Sequence, residues 1–200
     1  MTARLKQGMF RTTDLDQHVE LIKGQFTKSM NDAETRQLAV QIVSGSYDYI
    51  RDRVTGKEIP VVHAWGRTFR APPGAICKPR DYHCEIERIW DFVVLNMRYV
   101  YDPANIDTFC TTKVTLTAGG ADCDDAMIVF ASLLGAIGFH VIGRVISTQE
   151  APGKWVHIYP LVGTSKDDPQ DWLPLDMTVD GAKPGWEFGS IAKTRDYLFI

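Results

Sequence analysis

Apolar residues recur at helical spacing in three stretches of this chain of 200 residues. Leu15, Val19, Ile22 and Phe26 predict an amphipathic helix over 14–28. Leu38 with Ile42, and Ala39 with Val43, share one face of a second helix over 32–43. Asn31 followed three residues later by Glu34 resembles a capping box at its start, and the helix ends at Gly45 or runs on to Tyr49. Ile86, Ile89, Trp90, Val93, Val94 and Met97 form the cleanest stripe and predict a helix over 82–97, with Asp81 as its N-cap. Between 53 and 80 the periodicity dissolves. Gly56, Pro60, Pro72, Pro73, Gly74 and Pro79 disfavour a long helix or a central strand, so the stretch reads as a connecting loop with a short strand at Val61-Val62. Arg98 to Tyr101 reads as extended, ended by Asp102-Pro103.

The second half has a different pattern. Val114 to Ala118 leads into Gly119-Gly120, and Asp122-Cys123-Asp124-Asp125 opens a run, Ala126 to Ala131, that is apolar on all sides. Such a run marks a helix buried all round, and Gly138 is its natural C-cap. Strands are expected over 139–147, 154–162 and 171–178. In the second, Trp155, His157 and Tyr159 alternate with Val156 and Ile158; in the third, Trp172 and Asp176 share a face, and Pro174 marks an edge strand or bulge. The turn signal Thr164 to Pro169 joins the last two as a hairpin, which sets His157 opposite Asp176 to within a register slip of a residue or two. The fold class is therefore α+β: an N-terminal helical segment over 1–52, a connecting loop over 53–80, and a core domain over 81–200 in which a buried cysteine-bearing helix packs on an antiparallel sheet.

Composition narrows the function without choosing it. The net charge of −3 gives no electrostatic case for nucleic acid or an anionic membrane as partner. Met1 to Phe10 has no apolar signal core, and no apolar run is long enough to span a bilayer, which predicts a cytoplasmic protein. Cys77, Cys84, Cys110 and Cys123 then read as reduced thiols, and their spacing matches no zinc motif. No metal or cofactor is expected.

Cys123 stands out because it lies at a helix start, where free N–H groups and the positive dipole end favour thiolate. A cysteine nucleophile needs a base for its proton, and the base needs a partner to fix its tautomer. His157 and Asp176 supply both in chain order. Three acids beside the thiol, Asp122, Asp124 and Asp125, oppose the dipole and raise its pKa, with Asp125 expected to serve the first-turn N–H groups. One oxyanion donor is expected to be the N–H of Cys123; no second is identifiable. His63-Ala64-Trp65 precedes the cysteine and is read as a decoy; His83 and His140 read as surface or strand residues, and His18 as solvated. Trp155, Trp172 and Trp186 pack the sheet or line a groove.

These motifs resemble the transglutaminase-like superfamily, relatives of papain-like cysteine peptidases. The resemblance rests on Gly120-Ala121-Asp122-Cys123-Asp124-Asp125, Trp155-Val156-His157, Trp172-Leu173-Pro174-Leu175-Asp176, and the approach Asn96 to Pro103; it covers about 82–186. The family's glycine two places before the cysteine is Ala121 here. The segment from Pro174 to Val179 and on to Trp186 is similar to a bacteriophage and prophage subgroup. The resemblance implies that Cys123 is the nucleophile, His157 the general base and acid, and Asp176 the orienting carboxylate. The chemistry it implies is acyl transfer through a thioester, giving peptide or amide hydrolysis with water and crosslinking with an amine. The partners would be a protein or peptide substrate and other virion proteins. A different class of function is a structural virion component of head, neck or tail that keeps the fold without turnover.

Overall fold

The computed structural model of the protein describes residues 15–74, 76–101 and 108–200. Asp102-Pro103, expected to end an extended segment, lies outside them. The architecture is α+β, with helices and three separate sheets.

Helix α1 (Leu15–Met30) buries Leu15, Val19, Ile22 and Phe26, and α2 (Ala33–Ser44) buries Leu38, Ala39 and Ile42, as their stripes require. The cap of α2 corrects the sequence reading. Asp32, not Asn31, accepts the Glu34 N–H at 3.3 Å. The Glu34 carboxylate does not close a capping box; it accepts the N–H of Trp65. Gly45 ends the helix at φ 67°, in the left-handed region where a Cβ is strained.

The stretch 53–80 is not a loop throughout. Strands β1 (Asp48–Arg51), β2 (Glu58–Ala64) and β3 (Arg67–Arg70) form an antiparallel meander with β2 in the centre. Pro60 was the argument against a central strand. Its cost is small because it sits beyond the end of β3: its carbonyl still accepts the Ala71 N–H at 2.8 Å, and only the return bond is missing. The β2–β3 turn places Trp65 at φ 51° and Gly66 at φ 70°. An indole is unusual in that conformation. Glu34 of α2 and the helix's N-cap hold it there, since Asp32 also accepts the Trp65 Nε1–H at 2.7 Å. Buried Val62, Ala64 and Phe69 join the main core.

Helix α3 (Tyr82–Asn96) has the expected cap, Asp81 accepting from the Cys84 N–H. Strand β4 (Arg98–Tyr99) follows, then α4 (Thr112–Ala118), β5 (Gly120–Ala121) and α5 (Cys123–Ala136). β4 and β5 pair in parallel, Tyr99 beside Ala121, which brings the end of α3 against the start of α5. Every residue of α5 from Cys123 to Gly135 is buried, and Trp90 of α3 stacks on Phe130 at 5.5 Å. Past its C-cap Ile137, Gly138 takes φ 92° and the Phe139 N–H returns to the Leu134 carbonyl at 3.1 Å, a Schellman closure.

Strands β6 (Val141–Thr148), β7 (His157–Gly163), β8 (Trp172–Pro174) and β9 (Ile191–Leu198) make an antiparallel sheet in the order β8-β7-β6-β9. β9 has no counterpart in the sequence reading because an exposed edge strand needs no apolar alternation. The expected strand over 171–178 shrinks to three residues at an edge, with Pro174 at its end. Buried residues of α1, α2, α3, α5, both larger sheets and Leu175 form one continuous cluster.

The thiols also need correcting. Cys77 and Cys84 form a disulfide across a Cα–Cα distance of 5.6 Å; Cys110 and Cys123 belong to no disulfide. The chain folds back from the proline-rich segment onto the first turn of α3, which the spacing of the two cysteines does not reveal. The inference of reduced thiols fails for this pair. No helix among the described residues is long and apolar enough to cross a membrane.

Candidate functional site

Asp122 is the N-cap of α5, with its side chain accepting the Asp125 N–H at 3.0 Å. The cap role expected of Asp125 therefore belongs to Asp122. The Asp125 carboxylate turns away and accepts the Cys110 N–H at 2.8 Å, tying the segment before α4 to the cysteine turn. Cys123 is the first helical residue, where backbone N–H groups lack intrahelical partners.

β7 carries His157, and its pairing with β8 fixes the rest. Leu161 faces Pro174 and Gly163 faces Trp172. That register is two residues away from the one that sets His157 opposite Asp176. An even slip preserves the face, so Asp176 arrives diagonally and still meets the ring. His157 Nε2 and Asp176 Oδ2 lie 2.8 Å apart, and both side chains are only 1% exposed. The other carboxylate oxygen accepts from the Thr178 N–H at 3.0 Å and its hydroxyl at 2.7 Å. Burial pushes the Asp176 carboxyl up, but the His157 charge and the hydrogen bonds from His157 and Thr178 outweigh it and hold the group below the usual carboxylate value. The ionised carboxylate accepts the Nε2–H, which leaves Nδ1 as the ring nitrogen not bonded to Asp176.

The sulfur lies against the same strand. It receives the backbone N–H of Ile158, the residue after His157. Its own side-chain hydrogen bond runs to Asp124 Oδ1 at 3.6 Å, and among the described residues none joins it to the His157 ring. Burial, then the charges of Asp124 and Asp122, push the thiol well above its ordinary value; the Ile158 N–H acts in the opposite sense but does not prevail. The structure thus joins His157 to Asp176 directly and sets the Cys123 sulfur, as a protonated thiol, against the Ile158 N–H of the strand that carries His157.

Two features of the site escaped the sequence reading. Tyr99, brought beside the cysteine turn by the β4–β5 pair, has its hydroxyl ionisation suppressed by burial and then by repulsion from the ionisable groups around it, Cys123, Tyr101, Asp122 and Asp124. Its ring meets Tyr101 edge-on at 5.0 Å. The signal was present in Arg98 to Tyr101 as an extended stretch, but the parallel contact it makes is a tertiary fact. Behind the histidine, Tyr159 donates to Glu187 at 2.6 Å; Glu187 pairs with Arg144, and Arg144 grips Asp196 of β9 through Nε and Nη2 at 2.9 and 2.8 Å. This network links three strands of the sheet behind β7.

The other histidines lie elsewhere. His63 is exposed on β2, bonded to Thr68 at 3.1 Å and Asp48 at 3.3 Å, so its partners belong to the three-stranded sheet. His83 is exposed and paired with Glu87. His18, expected to be solvated, is half-buried edge-on to Phe109. Trp155 packs on the main core and Trp172 on the Ile146–Tyr159–Leu161 cluster, while Trp186 meets Phe188. A cavity of about 470 Å³ lined by Arg36, Glu85, Ile137 and Lys166 lies at the opposite end of α5 from Cys123. Among the described residues no group of acids, histidines and cysteines is arranged to hold a metal ion. Comparison with protein-family models, with characterised proteins and with solved structures gives no match.

Proposed function

We propose that the protein is a thiol-dependent acyltransferase of the transglutaminase-like kind, with Cys123 as nucleophile, His157 as general base and acid, and Asp176 as the carboxylate that orients the ring. The buried His157–Asp176 pair at 2.8 Å, on the strand against which the Cys123 sulfur rests, carries this reading. Nδ1 is the nitrogen left to accept a proton. Because the resting thiol is protonated, the proton passes to His157 as sulfur attacks the carbonyl, rather than from a standing ion pair. The tetrahedral oxyanion meets the Cys123 N–H at the start of α5, and its collapse expels the amine, which takes the proton from His157. Water resolves the thioester to an acid; an amine resolves it to a new amide. The substrate is a protein or peptide.

Casein incubated with a fluorescent primary amine tests both outcomes. Amine incorporation reads transfer, new amino termini read peptide hydrolysis, released ammonia reads the side-chain acylation common to both fates, and every signal must vanish in Cys123→Ala. A signal that survives the substitution, or no signal with the wild-type protein, ends this assignment.

A second reading has its own support. A thiol held protonated between Asp122 and Asp124 suits a fold kept as a structural part of a phage particle without turnover. It predicts the protein in stoichiometric amounts in purified particles and equal particle yield with Cys123→Ala; absence from particles rules it out.

A further inference from the structure

The three-stranded sheet has a surface that the site does not use. Of the ten charged residues from Asp48 to Arg80, seven are Arg or Lys, in a chain whose net charge is −3. All seven are exposed, and none forms an ion pair among the described residues. Two of the three acids are already engaged: Asp52 accepts the Val54 and Thr55 N–H groups in its own turn, and Asp48 pairs with His63. Positive charge is therefore unspent here.

Apolar groups sit among these cations. Tyr49 is 63% exposed, Ile50 47% and Val54, at the tip of the β1–β2 turn, 93%. β1 is an edge strand, exposed at all four residues. Its backbone direction follows from Pro60. The Pro60 carbonyl faces β3, where it accepts the Ala71 N–H, so the Tyr49–Pro60 pair is one of those without mutual hydrogen bonds. The turn agrees, because the Asp52 N–H bonds to the Lys57 carbonyl. The N–H and C=O groups of Tyr49 and Arg51 consequently point outward from the sheet. The sheet itself is firmly held: Trp65 is bound by Asp32 and Glu34, and Arg70 exchanges N–H and C=O bonds with the Asn96 side chain at 3.0 and 2.8 Å.

We propose that the free edge of β1 binds an extended acidic segment of a partner protein by strand addition. Outward groups of Tyr49 and Arg51 supply the ladder, Ile50 and Val54 supply apolar contact, and Arg51, Arg53 and Lys57 select for acidic side chains. The outward backbone ladder of β1 and the aliphatic Ile50 and Val54, which offer a base no ring to stack on, favour a polypeptide over a nucleic acid. The inference is independent of the chemistry at Cys123.

A fluorescein-labelled peptide of alternating Glu and Val tests it by anisotropy, against the Lys–Val counterpart and single-stranded DNA, using the full chain. The expected result is saturable binding of Glu–Val alone, weakened roughly tenfold or more by Arg53→Glu with Lys57→Glu, which leaves thermal unfolding unchanged because neither side chain has a partner. Amide exchange should slow at Tyr49 and Arg51 on binding. Equal binding of the Lys–Val peptide, tighter binding of DNA, no binding at all, or unaltered exchange at those two amides each overturns the proposal.

Discussion

Removing Asp176 should unfold the protein at a markedly lower temperature. The carboxylate is almost fully buried and serves three donors: His157 Nε2–H at 2.8 Å, the Thr178 N–H at 3.0 Å and the Thr178 hydroxyl at 2.7 Å. Asp176→Ala leaves a buried ring nitrogen and a backbone N–H without acceptors. Breaking a buried pair from one side costs about 3–5 kcal/mol, most of it the desolvation of the partner left behind. A chain of this size loses roughly 2–4 °C per kcal/mol, so the midpoint should fall by about 6–20 °C. Asp176→Asn keeps the shape and one acceptor but presents an NH₂ to one of the donors, and should fall between wild type and alanine. Circular dichroism melts of the three proteins read this directly. The double variant His157→Phe with Asp176→Leu, which removes both buried polar groups, should recover much of the loss. An Asp176→Ala midpoint within about 2 °C of wild type would show that water reaches the pair, and would refute the claim that the site is built around a buried, hydrogen-bonded histidine–carboxylate pair.

Four further outcomes rest on the same structure. Alkylation of Cys123 by iodoacetamide, followed by peptide mass, should accelerate only at pH values above those of an ordinary thiol, about 8.5, and Asp124→Asn should move that profile downward. Stability should fall at both pH extremes. Asp176 has a depressed folded value, so its contribution is complete above about 3.9 and is lost as the pH drops below it, whereas Cys123 and Tyr99 have raised folded values, so theirs erodes as the pH climbs past about 8.5 and 10; urea midpoints across pH check both limbs. Reducing the Cys77–Cys84 disulfide, which closes a short loop of sequence separation 7, should cost about 2 kcal/mol by chain entropy, seen as a lower melt in dithiothreitol. Gly163→Ala should destabilise by roughly 1–3 kcal/mol in the same melts, because its Cβ would come 2.5 Å from Pro169 Cβ.

The parts legible in the sequence are those where one local pattern decides. The α1, α2 and α3 stripes need only a single buried face, and the all-apolar run after Cys123 could hardly be anything but a central helix. His157 and Asp176 were found from turn chemistry and side-chain parity. Parity explains why a two-residue slip in register did no harm: a slip of one would have turned Asp176 away from the ring. The misses have a common cause in tertiary structure. Pro60 argues against a central strand until one knows that β3 stops beside it. Trp65 hides a tight hairpin because the acids that hold it sit at the start of α2, about thirty residues earlier. β9 carries charge on an exposed edge and shows no alternation. The Cys77–Cys84 bond depends on a fold-back that the intervening proline conceals, and Tyr99 is drawn to the thiol by a parallel contact two residues long. The acids around the cysteine were visible from the start; their assignment was not, since Asp122 rather than Asp125 caps the helix and Asp124 takes the thiol.

Single-turnover acylation of Cys123 tests the central claim most directly. Mixed with excess p-nitrophenyl acetate, the wild-type protein should release a burst of nitrophenolate close to one equivalent, with the acyl group mapped by mass to the Cys123 peptide and not to that of Cys110. His157→Gln should slow the burst by about 10²-fold or more, as expected when a general base is lost, and Cys123→Ala should abolish it. An acyl group found only on Cys110, or a burst indifferent to His157, would contradict the account.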